Sequence, residues 1–115
     1  MIIATIKMKV IPEKRSELLQ TLRSMTEQIS MEKRCERCYF YQDVNDENIF
    51  IITEDWNTQE ELDIHLRSDI FSALIGTKNL LVEPVDINIK AVSYTAGMEA
   101  VKKAREKSRA LSEKE

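Results

Sequence analysis

The sequence predicts an α+β domain of the ferredoxin-like kind, with an antiparallel sheet, elements in the order β-α-β-β-α-β and an extra C-terminal helix. Three observations support this prediction. Four short segments alternate apolar with polar residues or are rich in strand-forming residues. A longer segment repeats its apolar residues at helical spacing, and a capping signal after the third strand opens a further helix. The order of these segments is that of a split βαβ sheet.

Length and composition restrict the class of protein. The chain has 115 residues, which suits one compact domain, and 43% are hydrophobic and 32% charged, as in globular proteins. The formal net charge of -3 gives no footprint for nucleic acid, and no run of about 18 apolar residues is present to cross a membrane. The N-terminus lacks the features of a signal peptide, and two cysteines do not make a disulfide framework. We therefore expect a cytoplasmic protein that binds neither nucleic acid nor membrane, and its small core favours a symmetric partner.

The first strand and the first helix have the clearest patterns. Residues 1–10 alternate apolar and polar side chains, which is typical of a strand. Pro12 stands where a helix would start, because its fixed φ suits the first turn. A helix of roughly 17 to 19 residues is then predicted by apolar residues at helical spacing, which are Leu18, Leu22, Met25 and Ile29.

The remaining elements follow in order. Residues 38–44 and 48–56 are rich in strand formers and predict a hairpin. Thr58 and Glu61 form a capping box that starts a helix just after Trp56; a second short helix follows, with Gly76 expected as its left-handed end. Residues 83–92 predict the fourth strand. Residues 96–111 are dominated by helix formers with a thin apolar stripe, so we divide the chain into a domain over 1–95 and a helical extension over 96–115.

His65 is the one histidine of the chain. Helical spacing places it on the same inward face as Leu62 and Leu66. An imidazole there can act as a general acid or base near neutral pH, or it can be a buried histidine with a structural hydrogen bond. A lone histidine without a second His or Cys beside it does not indicate zinc, and we expect no metal site.

The two cysteines and the aromatic strand residues also invite a functional interpretation. "CERC" has CxxC spacing, but it leads into a strand, where residues three apart point to opposite faces, so a structural role is favoured. Tyr39 and Tyr41 share one face of the second strand, while Glu54 and Trp56 share one face of the third. Which faces line a pocket with His65 stays open, because aromatic residues on strands also form cores and dimer interfaces.

The stretch "YFYQDVNDENIFIITEDWNTQEELDIHLRSDIF" resembles the antibiotic biosynthesis monooxygenase family, and the resemblance extends over residues 1 to about 94. The resemblance implies a homodimer in which two sheets form an α+β barrel. It also implies a small-molecule substrate, an electron-rich phenol or quinol, whose anion reacts with O₂ without metal, flavin or other cofactor. On this resemblance His65 is the catalytic candidate, and the substrate-binding candidates are Trp56, Glu54, Tyr39, Tyr41 and Phe71.

The chain departs from the family pattern at several positions. The pocket asparagine and arginine of some monooxygenase members have no clear counterpart, and Arg34 stands where a glycine is usual. A haem-degrading branch of the same fold would require a histidine near Ile75, a tryptophan at His65 and an asparagine near Ile6, and these three mismatches argue against haem degradation. The alternatives are a non-catalytic ligand-binding domain, or an isomerase or lyase of a small metabolite.

Overall fold

A computed structural model describes residues 1–32 and 34–114, and in the last three of these the backbone alone. Its strands are β1 (Ile2–Lys9), β2 (Cys35–Gln42), β3 (Ile49–Trp56) and β4 (Asp86–Ala91). Its helices are α1 (Arg15–Ser30), α2 (Gln59–Leu66), α3 (Asp69–Ile75) and α4 (Met98–Lys114), and 3-10 turns cover Pro12–Lys14 and Gly76–Leu80. The predicted order of elements is confirmed.

The four strands form one antiparallel sheet in the order β2-β3-β1-β4. This order places the first and third strands in the centre, as the ferredoxin-like arrangement requires. The helices α1, α2 and α3 cover one face of the sheet. The core on that face contains the alternate residues of β1 and β3 and the apolar stripe of α1, which includes Leu18, Leu22, Met25 and Ile29.

Two local expectations are corrected. Gly76 does not end α3 in the left-handed region, because its φ is -62° and the chain continues into a 3-10 turn. The capping box at Thr58 forms only in part: the Thr58 hydroxyl accepts from the Glu61 N–H at 3.1 Å, but the buried Glu61 Oε2 has no hydrogen-bond partner among the described residues.

A β-bulge near the start of β2 has a larger effect on the site. Cys35 pairs with Trp56 and Arg37 pairs with Asp55, so Glu36 is an extra residue in the ladder. Because directly paired residues point to the same side of a sheet, Cys35 and Cys38 both face the helices. The expectation that they point to opposite faces is wrong for this reason.

The predicted C-terminal helix is present as α4, and its described side chains are almost all exposed. Its apolar residues Met98, Val101 and Leu111 are about half exposed or more. In the described part of the chain no helix is both long enough and apolar enough to cross a membrane.

Candidate functional site

His65 lies near the end of α2, where the helix crosses the buried end of β3. The Thr58 cap sets the start of α2, so its inward positions 62 and 65 are turned toward the sheet. The imidazole stacks on Trp56 with ring centroids 4.7 Å apart, and Phe71 from α3 meets it edge-on at 5.8 Å. The His65 side chain is only 1% exposed.

Each ring nitrogen of His65 faces a carboxylate. Nε2 lies 3.3 Å from Oε2 of Glu54, and Nδ1 lies 3.7 Å from Oε2 of Glu32. Both are ion-pair distances, although neither contact has the geometry of a hydrogen bond. The other Glu54 oxygen accepts from Trp56 Nε1 at 3.2 Å. The imidazole therefore joins a fully buried carboxylate to a partly exposed one.

These neighbours determine the proton affinity of His65. Burial by itself lowers the pKa of the imidazole, since it disfavours the charged form. Glu54 acts in the opposite direction, by contact and by charge, and Glu32 adds to it. Together the two carboxylates raise the pKa by more than burial lowers it, so the pKa of His65 is above its ordinary value. The two carboxylates thus stabilise the charged form of the imidazole against the cost of burying it.

A cleft of about 320 Å³ opens over the Glu32 side of the imidazole. It is lined by Glu32, Arg34, Ile64, His65 and Ser68. Glu32 and Arg34 belong to the turn between α1 and β2, which is closed by the Cys35 N–H donating to the Glu32 carbonyl at 3.2 Å. Ser68 caps α3 and accepts from the Phe71 N–H at 3.2 Å. The lining of the cleft thus combines a carboxylate, a guanidinium, an imidazole, a hydroxyl and the apolar side chain of Ile64.

The sequence-predicted site residues fall into two groups. The structure brings together Glu54, Trp56, His65 and Phe71 on the helix face, but all four are buried, so three of them support the imidazole from behind and do not line the cleft. Tyr39 and Tyr41 are on the opposite, open face of the sheet, where they are 52% and 53% exposed. They do not share a pocket with His65, because their register partners Thr53 and Ile51 alternate with the buried positions of β3.

Sequence reasoning missed the residues that line the cleft beside His65. Ser68 followed by Asp69 is a recognisable helix-capping signal, and it could have placed that hydroxyl next to the end of α2. Glu32 and Arg34 lie in a charged turn with no motif, so nothing in the sequence pairs them with a residue more than thirty positions later.

The cysteines next to this site are free thiols. Burial, and then the charge of Glu54, raise the pKa of Cys35 to about 11 and that of Cys38 to about 12. Both thiols are therefore protonated and weakly nucleophilic at neutral pH. Among the residues that the structure describes, no three His, Cys, Asp or Glu side chains come together as a metal site needs.

A second groove of about 410 Å³ lies between α1 and α3. Its apolar floor includes Met25, Ile70 and Ala73, and the one titratable side chain in its lining is Glu17. This groove can hold an apolar group but has no general base other than an exposed carboxylate.

The sequence model of the antibiotic biosynthesis monooxygenase family matches residues 1–76. The uncharacterised protein sll1783 of Synechocystis sp. is 28% identical over 88 residues, which are 76% of this chain and 60% of that protein, so the chain spans less than two thirds of that relative. A conserved protein of Methanosarcina mazei Go1 has a crystal structure that superposes with a TM-score of 0.73 at 30% identity, covering 77% of this chain and 89% of that one. A crystal structure of an antibiotic biosynthesis monooxygenase superposes with a TM-score of 0.75 at 21% identity over 82% of this chain and all of that one, which shows the same fold. The chain belongs to the antibiotic biosynthesis monooxygenase family.

Proposed function

We propose that this protein is a cofactor-independent monooxygenase that oxidises a small aromatic substrate of the quinol type with O₂. The observation that carries the proposal is the imidazole of His65, held between Glu54 and Glu32 at the base of a cleft in a chain of this family. The family match supports binding of a small molecule, and the paired imidazole supplies a proton acceptor.

The proton would leave the substrate through Glu32. The His65 side chain is 1% exposed, whereas that of Glu32 is 27% exposed and lies between Nδ1 and the cleft. A substrate hydroxyl would therefore meet the Glu32 carboxylate first, or reach Nδ1 after Glu32 moves aside. The proton passes to neutral His65, and Glu54 stabilises the imidazolium that results, as the buried carboxylate does in hydrolase triads.

The reaction balances without an added reductant. The quinol anion transfers one electron to O₂, and the semiquinone and superoxide join through a carbon–oxygen bond to give a hydroperoxide. That carbon then loses its proton while the O–O bond breaks, so one oxygen atom remains as a carbonyl and the other leaves as water. Hydroquinone and O₂ thus give hydroxybenzoquinone and water. Two of the four electrons taken up by O₂ form the new bond to carbon, and two form water.

Oxygen uptake with hydroquinone tests the proposal. We expect one O₂ consumed for each hydroquinone converted, and His65→Gln should lower turnover by about 100-fold or more, because a general base is lost. Val44→Gln, at a fully exposed loop position, is the control. Binding without oxygen uptake would favour the second candidate, a non-catalytic ligand-binding domain. The near-complete burial of the His65 side chain supports this candidate. Conversion of the ligand without oxygen uptake would favour an isomerase or lyase.

We also propose that the protein is a cytoplasmic homodimer whose open sheet faces meet. Proteins of this family are commonly dimeric. The open face carries Tyr39 and Tyr41, whose ring centroids are 6.3 Å apart and whose side chains are each about half exposed. Tyrosines are enriched at protein interfaces, and in a single chain such residues are exposed until the partner covers them. The free thiols of Cys35 and Cys38 support a reducing compartment.

A further inference from the structure

We propose that the cleft beside His65 selects monocyclic phenols that carry a carboxylate, and that Arg34 is the residue that recognises this carboxylate. The proposal rests on the function proposed above, and it names the substrate class of the same cleft.

Arg34 lies in the wall of the cleft and has no ion-pair partner among the residues that the structure describes. It is exposed, and it makes no hydrogen bond or ion pair with any residue that the structure describes. Arg15 shows the contrast, because its guanidinium donates to Glu47 at 2.9 Å and to Asn48 at 3.0 Å. An unpaired guanidinium beside a binding cleft presents a planar fork of donors, which matches a carboxylate with two parallel hydrogen bonds.

The other groups of the cleft set the orientation of such a ligand. Glu32 and His65 form the proton-accepting end, which suits a phenol hydroxyl. Ile64 offers an apolar wall to the ring between the two ends. Ser68 already accepts a backbone hydrogen bond from Phe71, so its hydroxyl is left to donate, which again suits an anion.

Arg34 and Glu32 are close together in the chain and both line the cleft. The two residues belong to one turn, closed by the Cys35 N–H on the Glu32 carbonyl, and the bulge at Glu36 anchors that turn to the sheet. A cation and an anion therefore line one cleft without forming an ion pair with each other. A ligand with a hydroxyl at one end and a carboxylate at the other matches both.

The volume limits the size of the ligand. About 320 Å³ is at the small end of ligand pockets, which suits one substituted ring better than a fused polycyclic system. The structure thus favours hydroxybenzoates over neutral quinols of the same size.

Anaerobic binding of a matched pair tests this proposal independently of turnover. The probes are 2,5-dihydroxybenzoate and hydroquinone, which differ by one carboxylate, and their dissociation constants with the full-length chain are measured by calorimetry. We expect the carboxylate to strengthen binding about tenfold or more. Arg34→Gln should remove that preference, and Arg34→Lys should keep only part of it, because an ammonium cannot form the paired bonds.

Arg37→Gln is the matched control. It removes the same charge three residues away, but Arg37 pairs with Asp55 and points to the open face, so the preference should survive. Equal affinity of the wild type for the two probes would overturn the proposal, as would no binding of 2,5-dihydroxybenzoate or an equal loss in both arginine variants. Because O₂ is excluded, a chain that binds the acid selectively but never consumes oxygen would retain this proposal and lose only the proposed function.

Discussion

At the scale of the residue, the chemical properties of the His65 imidazole depend more on the side chains around it than on its position in α2. Helical spacing predicts its inward direction, and strand alternation predicts that Glu54 and Trp56 share a face. The contact with Glu32 joins two segments separated by a whole hairpin, and no local pattern encodes it. The consequence is a histidine whose proton affinity is set by two carboxylates.

The pH dependence of oxidation follows from this arrangement. If neutral His65 is the base, kcat/KM for hydroquinone should rise with pH through an inflection above the ordinary histidine pKa of about 6.5, since the pKa of His65 is raised. Glu54→Gln should move the inflection downward, because burial then acts with less opposition. Asp55→Asn, on the other face of β3, is the control and should leave it in place. An inflection unmoved by Glu54→Gln would show that another group titrates.

The same raised pKa predicts how stability changes with pH. The folded chain holds the His65 proton more tightly than the unfolded chain, so this contribution is fully present below about pH 6.5 and is lost as pH rises through the raised value. The free energy of unfolding in urea should therefore fall as pH rises above about 6.5, and His65→Gln should flatten that fall. The measurements stay below pH 9.0, the ordinary pKa of a thiol. Above that pH the raised pKa values of Cys35 and Cys38 would add a further loss of stability. If the free energy of unfolding of the wild type depended on pH as weakly as that of His65→Gln, the proposed link between the His65 proton and stability would be contradicted.

At the scale of the element, the sequence patterns predict the helices and strands that have a periodic pattern and miss the irregularity that interrupts a strand. The predicted first helix of 17 to 19 residues corresponds to a 3-10 turn and α1 in succession, because Pro12 starts the turn and the apolar stripe continues through Ile29. The bulge at Glu36 escapes prediction, since one extra residue leaves no mark in strand propensity and becomes visible only in the pairing with β3. The facing of the two cysteines is therefore one place where the predicted geometry fails.

The start of α2 offers a test at this scale. The Thr58 hydroxyl satisfies the Glu61 N–H at 3.1 Å, and its removal leaves a helix end without a cap. Thr58→Ala should destabilise the fold by about 1 kcal/mol. Thr95→Ala, at an exposed position outside the helices and strands, should change stability little. The measurement is thermal unfolding, and equal melting temperatures for the two variants would show that the cap adds nothing.

At the scale of the whole molecule, charge and shape are distributed unevenly. The 97 residues before α4 contain 11 basic and 16 acidic side chains, whereas the last 18 contain 6 basic and 4 acidic ones. The chain extends over 60 × 34 × 21 Å, and α4 exposes its described side chains. The domain and the extension that the sequence predicts thus differ in net charge as well as in burial.

Removal of α4 tests the proposed division of the chain. A chain ending at Gly97 should unfold at a melting temperature within about 2 °C of the full chain, because none of the side chains that the structure describes in this segment is buried. Circular dichroism during heating gives the melting temperature and the loss of helical signal together. A fall of about 8 °C or more would show that α4 packs on the domain or on a partner chain.

The proposed dimer is tested on the open face. Sedimentation equilibrium at micromolar concentration should give twice the chain mass of 13.4 kDa. Tyr41→Glu should lower that mass toward one chain, since a charge would be buried between the two sheets. Val44→Glu adds the same charge in a loop and should keep the dimer. A wild type that sediments as one chain would end the proposal.

The bulge in β2 also limits how the length of this chain can change over evolution. Deleting Glu36 would restore a regular ladder in which Cys35 still pairs with Trp56, whereas deleting a later residue of β2 would turn the residues before it to the other side of the sheet. In the second case Cys35 would face outward, and the turn with Glu32 and Arg34 would leave His65. Residues 92–97 lie outside the helices and strands, so a change of length there leaves all strand pairs intact. Descendants of this chain should therefore gain and lose residues freely between β4 and α4, tolerate the loss of Glu36, and keep a constant number from Arg37 to the end of β2.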